Sequence, residues 1–401
     1  MNVDLSVDCG GLKLRNPIIV GPSDITWSAN LMKKAADAGA GAITVKTQHL
    51  ALPMDKRSAK ERGYKLFRLT NAEKGYDIRL ANQGAYFTLA IGGPAGTFKS
   101  EEILPEVAKA KKIINVPIIT SITSSYLDEI EKMAKMNAEV GADAIEIIDP
   151  LHYTYLYGAQ RPDYTIDQAV KVVKQTTRLP VSAKLTFGWE NPVETVKKLG
   201  EAGADIVVAI GGANSLMGLE IDVETGKPIM NSHYLGCYGS WFKPYSISWV
   251  ARASGHNKVS VVGISGITKW PHAVEYIMAG ATAVEICTIL YAKGFRVIGE
   301  ILNGLSTFME RKNYKKIDDF RGVGLKNLVS KEEIQKTFVP RLACVEESKC
   351  IGCGICAEVC LNEAPLIKDK KAHVDALKCQ GCELCPQVCP VGAVTLIQRK
   401  K

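Results

Sequence analysis

No apolar run in the 401 residues approaches the ~18–20 needed to cross a bilayer. The opening residues, Met1-Asn2-Val3-Asp4, lack the basic-then-apolar pattern of a secretory signal. A cytoplasmic protein with no membrane partner is expected. Charge of one sign is not in excess either. The 50 Lys+Arg against 42 Asp+Glu leave +8, spread along the chain, which is weak ground for a nucleic-acid partner. Cysteine is scarce through residue 340: only Cys9, Cys237 and Cys287 occur there, among apolar or glycine-rich neighbours. The other nine of the twelve follow. So sharp a shift marks a domain boundary, and in a cytosolic chain it points to metal or redox chemistry, not disulfides. What is present is ordinary for a globular protein: 46% hydrophobic and 23% charged residues, enough for a full core.

A short phrase recurs in the first three hundred residues: Ala38-Gly39-Ala40-Gly41-Ala42, Gly141-Ala142-Asp143-Ala144, Gly203-Ala204-Asp205-Ile206 and Gly280-Ala281-Thr282-Ala283. Each follows an amphipathic stretch (Leu31–Asp37, Leu127–Glu139, Pro192–Ala202, Pro271–Ala279). Each precedes an apolar run (Ala42–Val45, Ala144–Ile148, Ile206–Ile210, Ala283–Ile286). Glycine fits the junction because it takes the left-handed conformation that ends a helix. Four further β-rich runs, Pro17–Val20, Pro117–Ile122, Pro180–Leu185 and Val259–Gly263, bring the strands to eight. Apolar strands alternating with helices imply a parallel sheet covered on both faces. Eight units in ~300 residues fit a (β/α)8 TIM barrel, with an open doubly wound sheet as the alternative.

In a barrel, chemistry belongs at the C-terminal strand ends. Those ends carry Gly21-Pro22-Ser23, Lys46, Lys184, Gly211-Gly212, Ser265-Gly266 and Cys287-Thr288. A lysine closing an apolar strand either reaches solvent or serves an anionic cofactor or intermediate, and two at matching ends favour the second reading. Small residues after strands seven and eight suit a phosphate, which backbone N–H groups can approach closely.

The strongest pattern lies near the C-terminus. Cys350, Cys353, Cys356 and Cys360 form C-x2-C-x2-C-x3-C, and Cys379, Cys382, Cys385 and Cys389 repeat it before Pro390. This is the spacing of two-cluster bacterial ferredoxins, in which the fourth cysteine of each run serves the other cluster. One [4Fe–4S] cluster then takes Cys350, Cys353, Cys356 and Cys389, the other Cys379, Cys382, Cys385 and Cys360. Zinc at the C-x2-C pairs is the competing reading; Cys344 reads as a bystander. A ferredoxin module does no substrate chemistry by itself, so the barrel is expected to hold a redox cofactor. Gly322-Val323-Gly324 lacks the third glycine and the strand context of a nicotinamide fingerprint. Electrons are therefore expected from a partner protein, with a flavin in the barrel. The divisions expected are 1–312 barrel, 313–340 linker and 341–401 ferredoxin-like domain.

From Gly11 to Pro390 the chain resembles the dihydropyrimidine dehydrogenase family, with dihydroorotate dehydrogenases as more distant relatives. The resemblance implies an FMN-binding barrel joined to two [4Fe–4S] clusters, reduction of the C5–C6 double bond of uracil or thymine, a separate FAD/NAD(P)H-binding flavoprotein subunit, and an oligomer. By the same resemblance Thr44-Val45-Lys46-Thr47 contacts FMN, and Ala183-Lys184-Leu185-Thr186 places a lysine near the flavin N1/O2 edge. Asn82 lies near flavin and substrate. Ser23 joins the flavin-binding set. Gly239-Ser240 corresponds to the loop before strand seven, and Ser265-Gly266 and Cys287-Thr288 to the phosphate loops. Ser215–Gly218 matches the stretch after strand six.

The departures are on the substrate side. Ile148 stands where the family has an asparagine, no cysteine follows in place of the proton donor, and Gly211-Gly212 replaces Asn-Thr. A site selective through hydrogen bonds to its ligand is altered by such losses. The substrate is then a pyrimidine held by other groups, or a different conjugated carbonyl compound; a pure electron-relay subunit is a third reading. His152, Tyr153 and Asp149 are the candidate proton donors, set against a reading in which the nearby tyrosines pack a lid.

Overall fold

A computed structural model of the chain describes residues 3–50, 63–68, 87–92, 98–150, 162–189, 191–211, 213–214, 224–227, 235–255, 258–329, 332–333 and 339–399. The chain divides into two compact units, Met1–Asn327 and Leu328–Lys401.

The first unit is built on eight parallel strands: β1 (Ile18–Val20), β2 (Ala42–Thr44), β3 (Ile118–Ile122), β4 (Ala144–Ile148), β5 (Val181–Thr186), β6 (Ile206–Gly211), β7 (Ser260–Ile264) and β8 (Ala283–Ile286). Each pairs with the next, and β8 returns to β1 through Val284 opposite Ile18 and Ile286 opposite Val20. The sheet is therefore a closed barrel, and the open-sheet alternative is excluded. β3 and β4 are buried at every position, because the inner face fills the barrel and the outer face meets helices.

Those helices are α1 (Ala29–Asp37), α2 (Ser100–Ile113), α3 (Leu127–Glu139), α4 (Ile166–Thr176), α5 (Pro192–Ala202), α6 (Lys243–Ala253), α7 (Trp270–Met278) and α8 (Arg296–Arg311). Each presents an apolar stripe inward; α4 buries Ile166, Ala169, Val170 and Val173, neighbours on one helical face. The recurring glycines do what their position requires. Gly39, Gly141, Gly203 and Gly280 have φ of +108°, +87°, +105° and +101°, turning each helix into the following strand.

Two further pieces belong to the unit. A hairpin of Val7–Cys9 with Leu12–Leu14 buries Cys9 and Leu14. A four-stranded antiparallel sheet joins Gly63–Arg68, Phe87–Gly92, Leu235–Gly239 and Ala213–Asn214. Gly239 ends one of its strands and does not stand in an open loop; its φ of +148° leads into the 3-10 turn Ser240–Phe242 and then α6. The expected linker is divided. Residues up to Asn327 stay with the barrel, where Ile317 and Phe320 are fully buried and Phe320 packs on Phe308 and Tyr314.

The second unit is small. Arg341–Val345 pairs antiparallel with Val394–Gln398, and Pro365–Lys368 with Lys371–Val374. Short helices Ile355–Glu358 and Leu384–Val388 each carry one cysteine of a run, Cys356 and Cys385. No helix among the described residues is long and apolar enough to cross a membrane.

Candidate active site

Three charged side chains meet inside the barrel. Lys184 on β5 is ion-paired with Glu285 on β8, and its Nζ stands 3.9 Å from Oε1 of Glu146 on β4. Both glutamates are buried, and Lys184 is nearly so. β1 makes room for the pair at Gly21, where a Cβ would lie 2.5 Å from the Glu285 carboxylate. Burial works against the Lys184 charge, but the two carboxylates outweigh it and hold its pKa above the ordinary lysine value. Glu146 behaves in the opposite way. Burial pushes its pKa up to about 7, Lys184 pulls it down, and the Glu285 charge adds to the rise. Its Oε1 has no hydrogen-bond partner, as is also true of the buried Thr44 Oγ1 on β2.

Sequence patterning singled out Lys184 and passed over both glutamates. The signal was the same for all three: one charge inside an apolar strand, as in Ile145-Glu146-Ile147 and Val284-Glu285-Ile286.

Other predicted residues gather around this cluster. Ser23 hydrogen-bonds the side chain of Cys287, whose thiol is pushed up chiefly by burial and drawn down by the charges of Lys184 and Lys46. Lys46 is paired with Asp24 at 3.2 Å. The strand-end lysines are thus bound to carboxylates and do not simply reach for solvent.

A second group forms where β7 ends. Ser265 and Gly266 have φ of +79° and +71°, an unusual conformation for serine. Ser265 donates from Oγ to the Ile210 carbonyl at 3.2 Å, and Tyr276 donates to the carbonyls of Ile264 and Ser265 at 2.7 and 2.8 Å. A Cβ on Gly266 would lie 2.5 Å from Lys243 Cβ and 3.2 Å from Ser240 Cα. The expected phosphate turn Ser265-Gly266 therefore touches the Ser240 segment expected before strand seven, and only glycine permits it. His272 adjoins them, accepting the Thr268 N–H at Nδ1 (3.2 Å). Burial first, and the Lys243 charge second, lower its pKa to about 4. Tyr276 and His272 carry no distinguishing sequence pattern.

Asp149, which follows β4, accepts at one oxygen from Thr186 Oγ1 (3.1 Å) and Trp189 Nε1 (2.7 Å). It lies beside the end of β5, through its N–H to the Lys184 carbonyl. Ile148 is buried. His152, Tyr153, Asn82, Gly212 and Ser215–Gly218 lie outside the described residues.

In the second unit, Cys350, Cys353, Cys356 and Cys389 line one cavity together with Gly352, Gly354 and Ala393. Backbone N–H groups point at ligand sulfurs: Ala372 at Cys350, Ala364 at Cys360, Gly381 at Cys379 and Ala393 at Cys389, over 3.2–3.4 Å. Ala343 donates to Cys379 from 3.5 Å. Such bonds stabilise the charge of metal-bound thiolates. Among the described residues no three His, Cys, Asp or Glu side chains converge as on a single ion. A cubane, which places its own iron and sulfide between the ligands, does not require that. The donor set fits iron–sulfur clusters. Cys344 is exposed on its strand.

Residues 343–396 match a 4Fe-4S dicluster domain, and residues 90–309 match the family described as dihydroorotate dehydrogenase. The chain belongs to the dihydroorotate dehydrogenase family. It is similar to the catalytic subunits of dihydroorotate dehydrogenase B (NAD(+)) from Pyrococcus abyssi (31% identical over 330 residues, 80% of this chain and 99% of the relative) and Thermoplasma volcanium (29% over 326 residues, 80% and 99%). It is also similar to the NAD-dependent dihydropyrimidine dehydrogenase subunit PreA of Escherichia coli, 26% identical over 371 residues, 89% of this chain and 85% of the relative. These figures correct the expectation that dihydroorotate dehydrogenases stand further off. The barrel unit is 327 of 401 residues, so a match over 89% of the chain runs into the cluster unit. This family member is an oxidoreductase that carries a 4Fe-4S domain.

Proposed function

We propose that the chain is the catalytic subunit of a flavin- and iron–sulfur-dependent oxidoreductase that reduces the C5–C6 double bond of a pyrimidine base, uracil or thymine. Electrons come from a separate FAD/NAD(P)H-binding flavoprotein subunit through two [4Fe–4S] clusters. The carrying observation is the cluster unit fused to the barrel, into which the likeness to the dihydropyrimidine dehydrogenase subunit extends.

FMN, when bound, supplies hydride transfer to the conjugated double bond. Lys46 and Lys184 offer it positive charge, which favours a reduced, anionic flavin. The Ser240 segment and the Ser265-Gly266 turn would hold its phosphate through backbone N–H groups, with Ser23, Asn82, Gly239, Cys287 and Thr288 completing the set that would bind it. Proton donation falls to His152, Tyr153 or Asp149.

Buried Ile148 favours a second reading. An apolar side chain offers no hydrogen bond to a pyrimidine amide, and a different conjugated carbonyl compound is then the substrate.

The test is anaerobic purification, iron and flavin analysis, and reoxidation of the reduced protein by uracil, thymine, orotate and simple cyclic enones. Reoxidation by uracil or thymine supports the first reading. Reoxidation by orotate or an enone alone supports the second. A flavoprotein reoxidised by none is a relay subunit, and both readings fall.

A further inference from the structure

Among the described residues, one lysine and two glutamates meet in the barrel interior, so full ionisation of this trio would leave it a net charge of −1 in a buried space. An uncompensated buried charge is strongly unfavourable, and binding a proton removes it. The two carboxylates are not equivalent. Glu285 contacts the Lys184 ammonium directly. Glu146 stands 3.9 Å from it, with Oε1 lacking any hydrogen-bond partner and Ser121 of β3 supplying a side-chain bond.

We propose that Glu146 is a proton-exchanging residue beneath the cofactor site: it takes up a proton from water when negative charge is added above Lys184 and releases it when that charge leaves. Glu285 is the positioning residue that holds the ammonium toward β8. The exchange is –COO⁻ + H⁺ ⇌ –COOH, with no electron moved by the residue itself.

Among the described residues, the groups facing Glu146 are few. β3 presents Ser121, β5 presents Lys184, and β8 presents Glu285 with Cys287 just beyond it. Lys46, engaged by Asp24, lies on the Cys287 side. Lys184 and the Ser121 hydrogen bond oppose protonation, whereas burial and the Glu285 charge favour it and outweigh them. The direction of the Glu146 shift, up to about 7, agrees with this charge count. Protonated, the trio is neutral; deprotonated, it repels an anionic ligand or added electrons.

The coupling to cofactor charge rests on the flavin reading, whereas the proton itself does not, so the test has two arms. First, infrared titration of the full chain, with or without flavin, should reveal a carboxylic-acid band that disappears as pH rises through about 7. Glu146→Gln should abolish the band. Glu285→Gln should keep it and lower its midpoint by about one pH unit or more, a tenfold change in proton affinity, because Lys184 then serves Glu146 alone. A band that persists in Glu146→Gln, or no band titrating between about pH 5 and about pH 9, overturns the proposal. Second, reduction of the flavin-loaded protein at neutral pH should take up more protons per two electrons in the wild type than in Glu146→Gln. Equal uptake overturns the coupling. A chain without flavin fails the flavin reading but leaves the first arm decisive.

Discussion

The Lys184 ammonium on β5 is ion-paired with the Glu285 carboxylate on β8, a strand that does not neighbour it in the barrel. Lys184→Met would leave two buried carboxylates with no counter-charge. A loss of ~3–5 kcal/mol is expected, the usual cost of breaking a buried pair from one side. Urea unfolding checks it. The double variant Lys184→Met/Glu285→Gln should recover much of the loss, while neither variant should bind flavin as the wild type does.

Tyr276 fastens the Ser265-Gly266 turn through one hydroxyl shared by two carbonyls. Its ring lies so close to β7 that a Cβ on Gly263 would sit 2.4 Å from it. Tyr276→Phe keeps the ring and removes the tether. It should cost ~1–2 kcal/mol and lower the flavin-to-iron ratio of the purified protein, with iron unchanged. Thermal unfolding and cofactor analysis read both.

The pH dependence on the acid side has a named contributor. His272 has a folded pKa of about 4, below the ordinary histidine value of 6.5. The unfolded chain therefore binds the proton more readily, and stability falls as pH drops from about 6.5 toward about 4. Protonation also ends acceptance of the Thr268 N–H. Melting temperatures across that interval should decline less steeply in His272→Gln.

The cysteines divide into ligands and a bystander. Cys356→Ser should lower iron to about half of a two-cluster content. Cys344→Ala, at an exposed strand position, should leave iron unchanged. Iron-to-protein ratios after anaerobic purification decide it.

The barrel was legible because its signal is local. A glycine must follow each helix to take a left-handed conformation, and all four recurring glycines do so. The cysteine runs were legible because cluster ligation fixes spacing along the chain. The antiparallel sheet was not, since Phe87–Gly92 pairs with Leu235–Gly239 far along the sequence and neither segment announces its partner. The glutamates of the interior were hidden for a related reason. Each resembles a stray charge in an apolar strand until closure of the barrel brings β4, β5 and β8 around one space.

That antiparallel sheet knits together two excursions of the chain, one between β2 and α2 and one between β6 and α6. Neither can be exchanged alone. A chimera that imports one excursion from a relative presents foreign backbone to a resident edge, whereas importing both preserves the pairing. Divergence of this family member at its rim is therefore a matter of paired inheritance, and recombination that respects the pair is the efficient way to re-engineer what the barrel admits.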